Sequence, residues 1–344
     1  MLANKLSHNI KTISFFVTIL ILAIVPIIVK SPYYLDLIIV TIVYAVMAMT
    51  FIILLKTGLV SLGLAVFWGL GAYTSAILVM KLGLSFWIGL PAGAIVAGLF
   101  AFVLSPFLLK SGGITFLLLN AVLGLLFIVI IGNSTFLGMY TGINNIPEVD
   151  PIKLPFLPVI EFVSKIPYYY LGLILLIVIV LVVSAFNATK IGKAWTAIGL
   201  KPRLAESIGI NVYRYRMYAF VLASAIAGLI GAFWAHYEGF IQPNGFNMWM
   251  TNYFQLYAIL GGIGHGIAGP LLGAAIMKFF PEMIRFTQQL GNIITGVLLI
   301  LLILFLPRGI LSLFDKKRKF GEGFTFIRNW AKSSFTINRK EVKK

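Results

Sequence analysis

The sequence predicts an all-α polytopic membrane protein, and three observations carry that prediction. Of its 344 residues, 60% are hydrophobic and only 11% charged, which is more apolar surface than one soluble core can bury. The apolar residues fall in runs of about 20, enough to cross ~30 Å of hydrocarbon as helices. None of these runs alternates apolar with polar positions, as the strands of a membrane barrel do.

The stretch that orients the chain is 187–216, where Lys190, Lys193, Lys201, Arg203, Arg214 and Arg216 face the single acid Glu206. Short basic loops between spans lie on the cytoplasmic side. Inside this stretch Pro202 suits the first turn of a helix, Leu204 and Ile208 fall on one face four residues apart, and Gly209 stands where a helix stops. The result is a short amphipathic helix at the membrane surface. Two readings stand for it: a linker lying in the headgroups, or a docking helix that receives force from a soluble partner.

Residues 12–29 form a first span, too long for a signal-peptide core and without a small-residue cleavage site, with Lys5 and Lys11 left inside. Residues 34–55 form the second, with Asp36 close enough to its outer end to reach interfacial water. From Gly58 to Thr74 the chain is dense in glycine. That density suits either a close-packed helix interface or a broken span lining a pathway, with Ser61 and Thr74 offering hydroxyls. Residues 86–109 carry a small-residue stripe at Gly89, Gly93 and Ala97. Residues 115–132 carry Asn120, whose amide needs a partner across the bundle or water in a cavity, so packing and solute contact both stay open.

Residues 133–168 are polar and proline-rich with few cations, and are expected as an external loop. Residues 169–186 return the chain to the basic stretch. Ala219, Ala223, Ala227, Gly231 and Ala235 then repeat every four residues through 217–236, a packing stripe. Residues 237–249 have Glu238 and no Lys or Arg, which places them outside. A single helix over 251–280 would leave the basic C-terminus outside. Splitting it at the glycines around Gly262, Gly264 and His265 restores the basic-inside pattern. Residues 291–306 are then the last span, closing a transmembrane domain over 1–314, and 315–344 form a basic cytoplasmic tail. His265, without an acidic neighbour, suits a helix end better than a proton relay.

The net charge of +17 sits beside spans and in the tail, so topology and anionic headgroups account for it, and no nucleic-acid partner is expected. The chain has no cysteine, and its three histidines, His8, His236 and His265, are too scattered for metal ligation, so neither metal nor cofactor is expected. No G-x-x-x-x-G-K-[ST] phosphate cradle occurs, nor H-E-x-x-H, nor G-x-S-x-G, and no catalytic residue is expected. Any energy input comes from another chain, or the solute moves downhill.

The stretch from Gly58 to Thr74 resembles the "G-x-x-S-L-G-H-x-x-F-x-G-x-G-A-Y" motif of the LivM-type membrane subunits of branched-chain amino acid ABC importers. Residues 197–220 resemble that family's coupling loop, and 261–274 and 307–310 its C-terminal motifs. The chain departs from the family pattern at Leu64, at Ile143 and at Gly199-Leu200-Lys201. The resemblance implies about ten transmembrane segments in a type II-like ABC importer permease, with both termini cytoplasmic in the cytoplasmic (inner) membrane. It implies a second homologous permease subunit, two cytoplasmic ATP-binding subunits and an extracytoplasmic substrate-binding protein. Carried over by position, Leu204, Ala205, Glu206, Ser207, Ile208, Gly209 and Ile210 dock into the ATPase.

The expected function is therefore a permease subunit for branched-chain or other hydrophobic amino acids, or a similar small solute such as urea or an amide. Ser61, Thr74, Asn120, Gly262, Gly264 and His265 are its candidate pathway residues. The alternative is a stand-alone channel or facilitator, favoured by the scarcity of ionisable residues in the spans.

Overall fold

The computed structural model describes residues 22–29, 31–111, 113–152, 159–265, 268–283, 296 and 309–311. Most of the expected first span, nearly all of the last and the whole tail 315–344 lie outside them. Residues 22–28 are helical. The labelled helices are α1 (Pro32–Leu55), α2 (Leu64–Leu82), α3 (Phe86–Leu108), α4 (Gly113–Gly132), α5 (Lys165–Ala188), α6 (Lys190–Leu200), α7 (Pro202–Ser207), α8 (Val212–Glu238), α9 (Met248–Gly261) and α10 (Ala268–Met283). Six of them, α1 to α5 and α8, are long and apolar enough to cross a membrane. Among the described residues the only β-pairing is two isolated bridges, Ile143 with Ile241 and Ile152 with Ile160.

The expected spans at 34–55, 86–109 and 115–132 coincide with α1, α3 and α4 to within two residues. Two expected boundaries move. α5 takes 165–168 from the loop, starting after Ser164, and α8 starts at Val212, inside the basic stretch, capped by the Asn211 side chain accepting from Arg214 N at 3.0 Å.

Small residues decide the core. α2, α3 and α8 meet where Gly71, Gly93 and Gly228 stack. A Cβ on Gly71 would overlap the Gly228 carbonyl, and one on Gly93 would lie 3.0 Å from the Gly71 carbonyl. Only residues without a side chain allow backbones this close, and in lipid such van der Waals contact is what drives helices together. The α8 stripe does what its spacing predicts: Ala219, Ala223, Ala227 and Ala235 are fully buried, and Gly231 lies against the Trp68 carbonyl. α1 is the central helix, with Ile42 to Leu54 almost entirely enclosed.

The predicted split of 251–280 at its glycines is present. α9 and α10 form an antiparallel hairpin whose backbones touch where Gly273 meets the Tyr257 carbonyl and Gly261 meets that of Gly269. At 14 and 16 residues they are ~21 and ~24 Å long, each short of a full upright crossing.

The segment expected as an outer loop at 237–249 is not a surface loop throughout. Gly239 ends α8 in the left-handed conformation, and the chain then turns into the bundle. Phe246 becomes buried against Trp68 at 4.9 Å and Phe127 at 6.3 Å between ring centres. In the turn Pro243–Phe246 the two apolar side chains, Pro243 and Phe246, are buried while Asn244 stays exposed.

Candidate functional site

Two places gather the candidate residues: the basic end of the bundle and a polar knot just above it. At the basic end the chain leaves α5 and immediately forms α6, because Thr189 caps the new helix by accepting from Ile191 N at 3.2 Å. This helix is absent from the sequence-based expectation, although Ile191, Ala194, Trp195 and Ile198 recur at helical spacing and carry the signal. Trp195 is fully buried, stacks on Phe186 at 6.1 Å, and donates Nε1–H to the Tyr215 carbonyl at 2.8 Å. α6 is thereby bound to the last turn of α5 and the first of α8.

α7 comes next with Pro202 at its start, as the sequence predicts. It closes through Gly209, whose N–H donates to the Glu206 carbonyl at 2.9 Å, while Ile210 N–H donates to that of Ala205 at 3.0 Å. Gly209 adopts a φ of +86°, which suits glycine. Ala205 is buried in a small cluster with Ile198 and Val212, and Ile210 packs against it. Leu204 and Ile208 point the other way, 61% and 70% exposed, with Leu200 beside them at 79%. Glu206 and Ser207 are also exposed, and Ser207 Oγ donates to the Leu204 carbonyl at 2.9 Å. The seven residues expected to dock thus divide into a rivet, Ala205 and Ile210, and an outward face.

This unit rests on the turn after α1. Arg216 Nε donates to the Thr57 carbonyl at 3.2 Å, and Gly199 lies against the Lys56 carbonyl. Lys56 donates to Asn187 Oδ1 at 2.8 Å, and burial pushes its ammonium below the usual lysine range.

Beyond the turn, residues 59–63 run non-helically into the bundle, so the glycine-rich stretch is helical only from Leu64. Ser61 and Asn120 come together here: Ser61 Oγ donates to Asn120 Oδ1 at 3.1 Å and accepts from Gly63 N–H at 3.2 Å. Asn120 Nδ2 donates to the Phe116 carbonyl at 2.8 Å, so the amide finds its partners within the protein. Gln255 Nε2 donates to the Ser61 carbonyl at 2.9 Å, and Thr251 Oγ1 accepts from Ala65 N–H at 3.1 Å, which caps α2 from a distant helix. Thr251 and Gln255 are absent from the sequence-based candidates, because nothing in their local pattern marks them.

The other candidates lie elsewhere. Thr74 is two to three turns up α2 and donates to its own helix, to the Leu70 carbonyl at 2.6 Å. Gly262, Gly264 and His265 belong to the turn between α9 and α10, with Gly262 buried at a φ of +109° and Gly264 exposed.

At the opposite end Asp36 does more than reach water. It pairs with Lys165 Nζ at 2.9 Å and accepts from the Tyr237 hydroxyl. His236 is buried between Ser75 Oγ, 2.9 Å from Nε2, and the Pro147 carbonyl, 2.7 Å from Nδ1, which ties the long 133–164 loop to α2 and α8. Among the described residues no group of His, Cys, Asp and Glu is placed to hold a metal ion.

Comparison with known proteins places this geometry. The family described as "Branched-chain amino acid transport system / permease component" matches residues 33–305. The chain is 25% identical, over 92% of its length and 78% of the relative's, to the high-affinity branched-chain amino acid transport system permease protein LivM of Escherichia coli K12. It is 26% identical to the LivM of Salmonella typhimurium, over 78% of this chain and 67% of the relative. A shorter stretch, 36% of this chain and 40% of the relative, is 30% identical to the permease protein LivH of E. coli K12. No solved structure matches the chain.

Proposed function

Because the chain belongs to the branched-chain amino acid transport system permease family, as a LivM-type, multi-pass membrane subunit of an ABC importer, we propose that it carries branched-chain or other hydrophobic amino acids across the cytoplasmic membrane under force from a partner ATPase. In this reading both termini and the 187–216 loop are cytoplasmic, the 133–168 loop faces outward, and about ten spans cross the membrane. Residues 1–314 are the permease domain and 315–344 its basic tail.

The observation that carries the reading is the build of α7. A six-residue helix and its C-cap hold Leu204 and Ile208 outward while Ala205 rivets the helix to α6 and α8. Exposed apolar side chains on a small, firmly held element support the docking helix over the linker lying in the headgroups. The absence of a phosphate cradle in this sequence fits ATP hydrolysis by two cytoplasmic partner subunits. The likeness to both a LivM and a LivH supports pairing with a second, homologous permease. An extracytoplasmic binding protein would deliver the solute. Ser61 and Asn120, with Gly262, Gly264 and His265 nearer the basic end and Thr74 farther up α2, mark the proposed pathway side of the subunit.

The test is reconstitution in liposomes. ATP-dependent leucine uptake is expected only when the chain is combined with the second permease, the ATPases and the binding protein. Leucine flux through the chain alone would overturn the reading in favour of a stand-alone facilitator.

A further inference from the structure

Besides its joints to α5, where Trp195 stacks on Phe186, and to α3, where the Tyr213 hydroxyl lies 3.5 Å from Ser105 Oγ, the docking unit bears on the turn Lys56–Gly58, and the chain just past that turn is unlike a normal helix connection. Thr57 and Leu59 are fully buried, and three amide hydrogen bonds back to Leu54 and Leu55 lock the turn onto the end of α1. Instead of reaching the surface, the chain enters the bundle as the non-helical stretch 59–63. With both ends and the middle pinned, this stretch is no slack loop. Gly63 lies so close to α4 that a Cβ would sit 2.6 Å from the Asn120 carbonyl. Ser61 is bonded on one side to Asn120 of α4 and on the other to Gln255 of α9. The second amide of α2, Ala65 N–H, is held by Thr251 of α9.

Resting on the importer reading above, we propose that residues 56–63 are the mechanical link between the coupling unit and the pathway helices α4 and α9, with Arg216 and Gly199 as the positioning residues that press the unit onto it. Force on Leu204 and Ile208 moves α6, α7 and the start of α8 together, because Ala205 and the Trp195 hydrogen bond join them. That body bears on the turn through the Arg216 bond to the Thr57 carbonyl and the Gly199 contact with the Lys56 carbonyl. A packed interior transmits displacement instead of absorbing it, so the shift arrives at Ser61 and divides between α4 and α9. Gly199 is required because a Cβ would overlap the Lys56 carbonyl and push the unit off the turn, and Arg216 because its planar donor group reaches the Thr57 carbonyl just beyond the end of α1.

The test uses the assembled transporter in proteoliposomes and two independent readouts. In the first, Arg216→Gln and Gly199→Ala are compared with the unmodified chain for leucine uptake and ATP hydrolysis in the same vesicles. Uptake per ATP is expected to fall at least tenfold, with assembly and hydrolysis retained and Arg216→Lys partly restoring the ratio. An unchanged ratio overturns the proposal, whether or not both rates drop. The second readout needs no transported solute. The chain has no cysteine, so Ser61→Cys gives it a single thiol in the link. Its alkylation rate is expected to change at least threefold between the ATP-bound and nucleotide-free complex, and that change is expected to vanish when Arg216→Gln is added. A nucleotide-independent rate in the Ser61→Cys complex overturns the proposal. Failure of the unmodified complex to take up leucine with ATP would instead count against the importer reading, leaving the thiol readout to decide the link.

Discussion

Leu204 offers the sharpest separation between docking and folding. Its side chain is 61% exposed, so truncating it to Ala removes almost nothing from the chain's own core, whereas the neighbouring Ala205 is only 2% exposed and sits inside the cluster with Ile198 and Val212. Fully burying a leucine is worth about 1.5–3 kcal/mol. The share still available to a partner is therefore ~1–2 kcal/mol, and Ile208, 70% exposed, has a similar reserve. At ~1.4 kcal/mol per tenfold, Leu204→Ala is expected to weaken ATPase binding by roughly 5- to 30-fold. Leu204→Asp weakens it further, because a carboxylate must then be desolvated in the groove. The assay is titration of the purified ATPase onto the permease in nanodiscs, with the thermal midpoint of the permease measured alongside. Leu204→Ala should leave that midpoint unmoved while Ala205→Glu lowers it sharply. An ATPase affinity within twofold of the unmodified chain, or a midpoint that falls for Leu204→Ala as it does for Ala205→Glu, would refute the docking argument.

Three further outcomes are expected from the same architecture. Gly228→Ala places a methyl 2.5 Å from the Ala97 Cβ and into the Gly93 carbonyl, so α3 and α8 must separate; the expected cost is about 1–3 kcal/mol or more, read as a loss of detergent-resistant folded protein. Asp36→Asn removes a pair whose side chains are 45% and 39% exposed, so solvent screens it and the thermal midpoint should reflect less than ~1 kcal/mol, with ATPase binding unaffected. Ser207→Cys puts the chain's one thiol on the exposed end of α7, and a membrane-impermeant maleimide should label it only from the cytoplasmic side of sealed vesicles. Labelling from outside would overturn the orientation on which the coupling role depends.

Much of this architecture is legible in the residues. The spans at α1, α3 and α4 come from apolar length, the α8 and α3 packing faces from small residues at four-residue spacing, and the start and stop of α7 from Pro202 and Gly209. The break between α9 and α10 comes from charge placement around a glycine cluster. α6 is harder to see because it is short and lies within a stretch marked by its charge, although Ile191, Ala194, Trp195 and Ile198 form an apolar face. The inward turn at Pro243–Phe246 is hidden because absence of cations marks a side of the membrane and says nothing about depth.

The amino-acid sequence determined which segments become membrane helices and which loop is basic, since both depend only on local composition against a fixed hydrocarbon thickness. It could not rank those helices by position. α1 and α4 are almost equally apolar, yet most of the apolar stretch of α1 and little of that of α4 is buried in the protein. In water that contrast would be written into the apolar pattern. In lipid the exposed face is as apolar as the packed one. Only the tertiary structure therefore decided that α1 stands at the centre, that Ser61 meets Asn120 and Gln255, and that Arg216 closes onto Thr57, because these depend on close backbone approach and on hydrogen-bond partners far apart in the chain.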